Sequence, residues 1–415
     1  MAVSRTLYLC YFGLREPLVQ TQVLPYLREL VRTGGLNPTL LTFEPDFRKA
    51  WTKDDIDEER AQLERDGIRW LSLPYHKRPS LPATAYDILA GAWKAAQLVR
   101  RDGIEVLHAR AHIPLAMALL AQRLSSCRLV FDIRGLMAEE YADAGIWKET
   151  SLPFRLIKWL ERKGIKRADQ IVVLTERMRA WLVEQGVAPG RVEVIPCCVD
   201  FQRFDQVSAE DEASEADRFE IVYAGSVTGL YMLEEMGRFF LALRAQEPRA
   251  FLRILTKSSA EDAANVLKRA GLDESDFWVG AVPASDIPSF LRRARLGISF
   301  RKPTFSQLAA SPTKIPEYLA AGLPVVSNAG IGDTDEILES EAVGVVVHDL
   351  SKQGYEAAAR QALALMREAG IGARCASVAR ERFDLSRIGG PRYRKVYQRI
   401  SEQMIPVKQV VNVRQ

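Results

Sequence analysis

The sequence predicts an α/β protein built from two doubly wound domains. First, its 415 residues exceed the roughly 100 to 200 that a single compact domain usually holds. Second, short apolar runs alternate with longer amphipathic segments, a pattern typical of a parallel sheet covered by helices on both faces. Third, this alternation stops at an acidic stretch and then starts again, which indicates a second domain of the same class.

The first series of predicted strands belongs to the N-terminal domain. Its apolar runs are residues 7–12, 39–43, 104–109, 128–133 and 170–175. Ligands of doubly wound sheets bind beyond the carboxyl ends of the strands. We therefore expect functional residues in the loops that follow these runs.

The second series follows an acidic connector. Its runs are residues 219–225, 251–256, 295–300, 323–328 and 343–349, and after residue 350 the pattern is helical only. The connector, 205–217, contains six acidic residues and no basic one, as expected of a solvated linker. We predict an N-terminal domain over 1–204 and a C-terminal domain over 218–385. Residues 386–415 should form a helix and tail that return to the N-terminal domain.

Composition narrows the class of protein. The chain is 47% hydrophobic and 27% charged, and its net charge of +4 gives no reason to expect a nucleic-acid partner. Five cysteines without a Cys-x-x-Cys pair argue against a disulfide framework or a zinc site and favour a reducing, cytoplasmic location. No apolar run reaches the roughly 18 residues that a membrane span needs, so any membrane contact should be peripheral.

The segment from 300 to 328 carries the strongest local signals. Ser311 is a good helix N-cap, Pro312 suits the first helical position and Gly322 is a typical helix end. A helix that begins only at Pro316 is the alternative, because proline lacks the amide hydrogen that the helix interior requires.

Basic and hydroxyl residues gather at the start of this predicted helix. Ser311, Thr313 and Lys314 lie there and Arg301 is just upstream. Free backbone amides at a helix start favour an anion, so we predict a phosphate site. An ordinary solvated loop is the alternative.

The stretch that begins at Glu317, Glu-Tyr-Leu-Ala-Ala-Gly-Leu-Pro-Val, resembles the E-A-x-A-x-G-x-P-V signature of family 4 glycosyltransferases. These are retaining enzymes with the GT-B fold, two Rossmann-like domains that face a central cleft. The resemblance implies that Glu317, the second glutamate of a Glu-x7-Glu pair, holds the donor ribose. The first glutamate is replaced by Ala309, and the Ser-Pro-Thr-Lys run at 311–314 resembles a known variant of the family's glycine-rich loop.

A second group of matches implies the rest of a donor site. Residues 195–204 resemble the family's link between domains. In the loop after the strand at 219–225 the family commonly has an arginine and a lysine on the donor diphosphate, but this chain has Gly225, Ser226 and Thr228. The positive charge is then expected from Lys314, Arg301 and Lys257.

The resemblance also implies residues of the N-terminal domain. Arg134 stands where the family often has a histidine that faces the reacting sugar, and we expect it to hold an anionic acceptor or the departing phosphate. A salt bridge with Glu139 or Glu140 is the alternative. His108 and Asp132 are expected beside Arg134 in a catalytic role, although His108 could instead cap a backbone group.

Two further features of the N-terminal domain have two interpretations each. Gly13 follows the first strand, where it could admit the donor or simply form a turn. The basic amphipathic segment 151–167 places Leu152, Leu156, Trp159 and Leu160 at helical spacing. Packing of these residues against the sheet is favoured, and docking on a membrane surface is the alternative.

The resemblance implies transfer of a sugar from a UDP- or GDP-sugar to a glycan or lipid-linked acceptor, with retention of configuration. Cell-surface polysaccharide or glycoconjugate biosynthesis is the expected setting, and no cofactor or metal is expected. A nucleotide-sugar 2-epimerase of the same fold and a non-catalytic nucleotide-sugar-binding subunit are the alternatives.

Overall fold

The computed structural model describes residues 4–76, 78–205 and 218–404. It contains two parallel sheets, each flanked by helices, so the predicted pair of doubly wound domains is confirmed. The strands of the first sheet are β1 Ser4–Cys10, β2 Leu36–Glu44, β3 Arg69–Pro74, β4 Val106–Arg110, β5 Arg128–Asp132, β6 Gln170–Val173 and β7 Val192–Val194. Those of the second are β8 Phe219–Ala224, β9 Ala250–Leu255, β10 Phe277–Gly280, β11 Leu296–Ser299, β12 Val325–Asn328 and β13 Gly344–Val347.

The helices connect successive parallel strands. In the N-terminal half they are α1 Pro17–Gln22, α2 Leu24–Arg32, α3 Phe47–Ala50, α4 Lys53–Arg65, α5 Ser80–Asp102, α6 His112–Ala121, α7 Met137–Asp143, α8 Leu152–Arg167, α9 Glu176–Glu184 and α10 Gln202–Asp205. In the C-terminal half they are α11 Leu233–Arg244, α12 Ala260–Arg269, α13 Ile287–Arg293, α14 Lys314–Ala320, α15 Thr334–Ser340, α16 Lys352–Met366, α17 Ile371–Phe383 and α18 Gly390–Met404. Short 3₁₀ helices span Pro189–Arg191, Glu274–Asp276 and Phe305–Ala309, and a π-helical turn spans Leu385–Gly389.

The strand order explains which strands the sequence pattern revealed. The orders are β3-β2-β1-β4-β5-β6-β7 and β10-β9-β8-β11-β12-β13. Inner strands are covered on both faces and read as continuous apolar runs. The three strands without such a run, β3, β7 and β10, are all at sheet edges, where they are short or half-exposed.

Alternate residues of the inner strands fill two cores, one on each face of the first sheet. Leu7 and Leu9 belong to one buried cluster, whereas Tyr8 and Cys10 belong to the other. This alternation follows from the two-residue period of a strand. Both helical layers are therefore fixed by apolar packing, and the carboxyl ends of the strands remain for polar loops.

The C-terminal helix lies on the N-terminal domain. Arg392 Nη1 donates to the carbonyl of Val194 in β7 at 2.7 Å, and Val396 and Ile400 share a buried cluster with Leu27 of α2. The chain crosses between the domains where Val199 pairs with Asp384 in an isolated parallel bridge. Of the predicted linker 205–217, all but its first residue lies outside the described residues.

The segment that follows β1 forms two short helices. Helix α1 ends at Gln22, and α2 begins at Leu24 with Pro25 in its first turn. Proline has no amide hydrogen to continue the helix, so the chain restarts there. Elsewhere in the described ranges no helix combines the length and apolar character needed to cross a bilayer.

Candidate functional site

Lys314 is a buried cation at the start of α14. The residue is 4% exposed, its Nζ donates to the Tyr223 hydroxyl at 3.1 Å, and it lies 3.7 Å from the ring centroid of Tyr231. Among the described residues no carboxylate lies within ion-pair distance of this ammonium. Burial lowers the pKa of Lys314, because a charge removed from water is destabilised.

Arg301 follows β11 and shares Tyr231 with Lys314. Its Nη1 donates to the Tyr231 hydroxyl at 2.9 Å and its Nε to Gln307 Oε1 at 2.7 Å. Asn328 fixes the Arg301 backbone, accepting from its amide at 2.7 Å and donating to its carbonyl at 2.8 Å. Burial would raise the pKa of Tyr231, but the two neighbouring cations outweigh it and lower that pKa. We call Lys314, Tyr231 and Arg301 the cationic cluster.

Gly225 lets the loop after β8 approach this cluster. Its φ of +139° lies in a region that residues with side chains rarely adopt, and an added Cβ would be 3.0 Å from Lys314 Nζ. Ser226 and Thr228 are exposed in the same loop, with their hydroxyl oxygens 3.1 Å apart. Lys257 is exposed after β9, and within the described part of the chain no contact joins it to the cluster.

Glu317 lies one helical turn beyond Lys314. Arg203, at the link between the domains, donates from Nη1 to Glu317 Oε1 at 3.2 Å. Burial raises the pKa of Glu317, and the Arg203 guanidinium opposes that rise. Glu317 therefore lies beside the cationic cluster, but its partner Arg203 was missed in the sequence, although it belongs to the recognised 195–204 segment.

Neither predicted start of α14 is correct. The helix begins at Lys314, with Thr313 at the cap position and Pro316 inside the first turn, where a missing amide hydrogen costs no helical bond. Ser311 does not cap it, because its Oγ instead accepts from the backbone amide of Cys197 at 3.1 Å. Ser311 thus joins the two domains. The predicted helix end is correct, since Gly322 follows α14 with a φ of +81°.

Ala309 is buried against the N-terminal domain. It is 1% exposed and belongs to the buried core cluster of the N-terminal domain. The neighbouring carbonyl of Leu308 accepts from the Thr175 hydroxyl at 2.6 Å, which fixes the 305–309 segment against β6. A glutamate at position 309 would be buried without a partner here, so its replacement by alanine suits the packing of the two domains.

His108, expected to be catalytic, lies in the core instead of on the cleft. It is 0% exposed, its Nδ1 lies 2.7 Å from the Tyr397 hydroxyl and its Nε2 lies 3.5 Å from Asp132 Oδ2. Burial lowers the pKa of His108, although the Asp132 carboxylate opposes that shift. Both ring nitrogens face the protein interior, so His108 is a buried structural residue and the expected contact with a sugar is not supported.

Asp132 is equally buried and joins several strands to α18. Oδ2 accepts from the Tyr393 hydroxyl at 2.8 Å and lies 3.5 Å from Arg110 Nη1, while Oδ1 lies 3.5 Å from Arg134 Nη1. Burial alone would raise the pKa of Asp132, but Arg134, His108 and Arg110 together lower it well below its usual range. Asp132 therefore balances buried cations, and the expected catalytic role is not supported by its position.

Arg134 points into the protein beside Asp132. Its side chain is 10% exposed, and Nη2 donates to Cys197 Sγ at 3.4 Å. The alternative, a salt bridge with Glu139 or Glu140, is also wrong in its partner, because the carboxylate beside Arg134 is Asp132 and Glu139 pairs with Lys158 at 2.6 Å. Arg134 therefore lies beneath the link between the domains, beside Cys197, and the expected contact with the departing phosphate is not supported.

Gly13 has a structural explanation. A Cβ added to it would lie 2.9 Å from Glu44 Oε2, and the same carboxylate accepts from the amide of Leu14 at 2.9 Å. The glycine therefore admits a buried carboxylate that fixes the turn after β1. The turn interpretation fits this position better than donor binding.

Glu140 of α7 faces the second domain and was missed as a site residue. Burial raises its pKa, and the largest opposing influence is the positive charge of Arg301. Gly135, with a φ of +155°, leaves room for this carboxylate, since a Cβ there would overlap Glu140 Oε1. Only the fold could reveal that the charge of Arg301 acts on Glu140, because 161 residues separate them in the sequence.

The two parallel sheets, each covered by helices, give the chain the two-domain architecture of the GT-B fold. Residues 19–198 match the family model of the glycosyl transferase 4-like domain. The match covers less than half of the 415-residue chain, and it makes the N-terminal domain similar to this family. No curated protein sequence gives a significant match.

Several solved structures share the fold over their whole length. Sucrose-phosphate synthase from Thermosynechococcus elongatus has a TM-score of 0.70 at 15% identity, covering 97% of this chain and 98% of its own. Anabaena HepE, solved with UDP-glucose, has a TM-score of 0.66 at 15% identity, with 96% and 99% covered. A putative UDP-N-acetylglucosamine 2-epimerase from Listeria monocytogenes has a TM-score of 0.60 at 14% identity, with 97% of each chain covered. At these identities the similarity establishes the fold alone.

Proposed function

We propose that the protein transfers a sugar from a UDP- or GDP-sugar to a glycan or lipid-linked acceptor, with retention of configuration. The observation that carries the proposal is the Lys314 ammonium, which is buried without a carboxylate partner among the described residues. A buried cation normally requires a counter-charge. The diphosphate of a nucleotide-sugar supplies one.

The cationic cluster suits the chemistry of the leaving group. When the bond between sugar and phosphate breaks, negative charge develops on the nucleoside diphosphate. Preorganised cations at that place stabilise the transition state more than they stabilise the ground state. We assign this role to Lys314 and Arg301, and contact with the ribose hydroxyls to Glu317, whose carboxylate can accept two hydrogen bonds. The glycine backbone at Gly225 provides close approach, and Ser226 and Thr228 provide hydroxyl contacts.

The same cations lead us to propose transfer without a metal. Two positive side chains can balance the charge of a diphosphate that a divalent ion balances in other enzymes. Sugar transfer should therefore continue in the presence of EDTA. A complete loss of transfer that is restored by added Mg²⁺ or Mn²⁺ would contradict this part of the proposal.

Direct binding tests the donor site. UDP, GDP and ADP are titrated by calorimetry into the wild type, Lys314→Ala, Glu317→Ala and, as a control, the exposed Lys352→Ala. We expect one nucleotide to bind the wild type and Lys352→Ala equally. Its affinity should fall for Lys314→Ala and Glu317→Ala. Equal affinity of all four proteins would place the donor elsewhere.

Product analysis separates transfer from the two alternatives. A 2-epimerase would convert the matching nucleotide-sugar without any acceptor, and a binding subunit would hold it without turnover. A transferase releases the nucleoside diphosphate in proportion to the sugar that appears on the acceptor. Epimerised donor formed in the absence of acceptor would overturn the proposal.

We further propose peripheral contact with the inner face of the cytoplasmic membrane, through residues 151–167, in cell-surface polysaccharide or glycoconjugate biosynthesis. Leu152, Leu156 and Trp159 were expected to pack on the sheet, but they are 72%, 53% and 53% exposed. Leu160, the fourth residue of that set, is buried as expected, together with Ile157 of α8. An exposed apolar stripe beside basic residues is suited to anionic lipid.

Liposome sedimentation tests this contact. The wild type should sediment with vesicles that contain phosphatidylglycerol and less with pure phosphatidylcholine. The double variant Leu156→Ser, Trp159→Ser should remain in the supernatant, whereas the exposed pair Leu124→Ser, Trp278→Ser serves as control. Equal sedimentation of both double variants would contradict the assignment.

A further inference from the structure

A histidine and a buried carboxylate form a second polar site on the N-terminal domain, after β3. His76 Nδ1 lies 2.6 Å from Asp87 Oδ1, and the His76 amide donates to Oδ2 of the same carboxylate at 3.0 Å. The Tyr11 hydroxyl donates to Oδ2 at 2.7 Å. The Asp87 side chain is 1% exposed, but that of His76 is 44% exposed. The carboxylate is therefore fully occupied inside the protein, and the imidazole faces solvent.

This arrangement fixes which atom His76 presents. An ionised carboxylate only accepts hydrogen bonds, so it holds the Nδ1–H of the ring and leaves Nε2 outward. The ring of Tyr86 is 60% exposed and stands at 90° to the imidazole, with centroids 5.1 Å apart. A hydrogen-bonding ring edge and an exposed aromatic face thus form a corner. Small-molecule sites typically combine aromatic surface with a small number of polar groups.

The corner lies on the same edge of the sheet as the domain interface, at its opposite end. All strands of the first sheet are parallel, and β3 is five strands from β6. At about 4.8 Å per strand this separation is roughly 24 Å. The contacts between domains that involve Thr175 and Cys197 follow β6 and β7. The corner is therefore at the open end of the cleft.

Further aromatic side chains lie behind the corner: Tyr11, which donates to Asp87, has its ring centroid 5.3 Å from that of Tyr75. By strand spacing β3 is about 19 Å from β5, which precedes α7. His76 is thus too distant for the sugar that reacts, but it suits a more distant residue of a longer acceptor.

We propose that His76, Tyr86 and the positioning residue Asp87 form a subsite for a saccharide residue of the acceptor, remote from the hydroxyl that reacts. This inference rests on the proposed transferase function. The His76 Nε2 accepts from a sugar hydroxyl, and the Tyr86 ring packs against the apolar face of the sugar. The acceptor is accordingly an oligosaccharide or carries one.

The four histidines of the chain make a direct test feasible. Ring signals are followed by NMR while maltotriose, cellotriose, chitotriose and mannotriose are added to the UDP-saturated protein. We expect at least one trisaccharide to shift the His76 signals. His348 provides the matched control, because it is also exposed and pairs with a carboxylate, Glu339, at 2.8 Å. The His348 signals should not shift.

Three variants separate binding from a structural role. His76→Ala and Tyr86→Ala should weaken trisaccharide binding at least tenfold and leave UDP affinity unchanged. The control His348→Ala should leave both trisaccharide binding and UDP affinity unchanged. Asp87→Asn should alter the ¹⁵N shifts that report the His76 tautomer and weaken binding, a change that mere anchoring of the loop would not produce. If UDP binds but no trisaccharide shifts His76 at 50 mM, the subsite is wrong while the donor site stands. If no nucleotide binds at all, the proposed function itself fails.

Discussion

The two domains bury positive charge in different ways. In the N-terminal domain Arg110 and Arg134 are within 3.5 Å of the Asp132 carboxylate, which also accepts from a tyrosine of α18. In the C-terminal domain Arg301 donates to the Tyr231 hydroxyl and Lys314 lies over the same ring, and within the described ranges no carboxylate is within ion-pair distance of either cation. The first group contains a carboxylate that contacts both arginines, whereas the second contains two cations with no carboxylate at that distance.

This difference separates a structural network from a binding site. A buried cation with its own carboxylate is stable in the free protein, whereas one that lacks it is stabilised when an anionic ligand arrives. His108, Asp132 and Arg134 looked catalytic in the sequence because they are polar residues at strand ends. The structure assigns them to the network that attaches α18. The cationic cluster has the properties expected of a site.

The largest effect on stability is expected in the network around Asp132. Asp132→Asn leaves buried cations without a counter-charge, so the free energy of unfolding should fall by about 3–5 kcal/mol. Urea denaturation followed by circular dichroism measures the change. Asp57→Asn, at an exposed pair with Arg60, should change the value by less than about 1 kcal/mol. Similar values for both variants would mean that Asp132 is not the required counter-charge.

The opposite result is expected in the cationic cluster. Lys314→Met removes a desolvated charge and retains most of the side-chain volume. The free energy of unfolding of the ligand-free variant should therefore be equal to or higher than that of the wild type. Affinity for the nucleoside diphosphate should fall about 10- to 100-fold, since a hydrogen bond to a charged group contributes about 1.5–3 kcal/mol. Calorimetry and urea denaturation measure the two quantities. A destabilised variant with unchanged affinity would make Lys314 structural.

The sequence predicted the fold well because inner parallel strands have an unmistakable apolar pattern. It also predicted Lys314, Arg301 and Glu317 at one site, and the structure places these three near one another. Edge strand β3 escaped detection, since half of an edge strand is exposed. The site residue Tyr231 escaped too, because nothing in a local pattern shows that a tyrosine will lie between two distant cations.

Burial was the main quantity that the sequence could not supply. The sequence pattern placed both His108 and Arg301 near the carboxyl end of a strand, yet His108 lies inside β4, where Tyr393 and Tyr397 of α18 cover it, and Arg301 lies beyond the end of β11. That cover comes from a helix nearly 290 residues away along the chain. Long-range packing of this kind decides which polar strand ends remain available to ligands.

A smaller effect is expected for Tyr231→Phe. The hydroxyl accepts from Arg301, so its removal should loosen that cation and lower nucleoside diphosphate affinity about 3- to 10-fold, the range of the net contribution of one hydrogen bond. Tyr355→Phe is the control, because its hydroxyl instead bonds Glu235 on the outer side of the second domain. Calorimetric affinities that are the same for both variants would remove Tyr231 from the site.

The smallest effect concerns pH. Because burial lowers the pKa of Lys314, the folded protein loses this proton at a lower pH than the unfolded chain, whose lysines titrate near about 10.4. Between these two values the unfolded state binds more protons, so the contribution of Lys314 to stability rises with pH. The stability advantage of Lys314→Met should therefore be greatest at pH 7 and narrow as pH approaches 10. The pKa of Tyr231 is also lowered, so its contribution to stability rises with pH as well. Adding Tyr231→Phe to the wild type and to Lys314→Met separates the contributions of the two groups. An advantage that widens with pH would show that the free protein does not bury an uncompensated charge at Lys314.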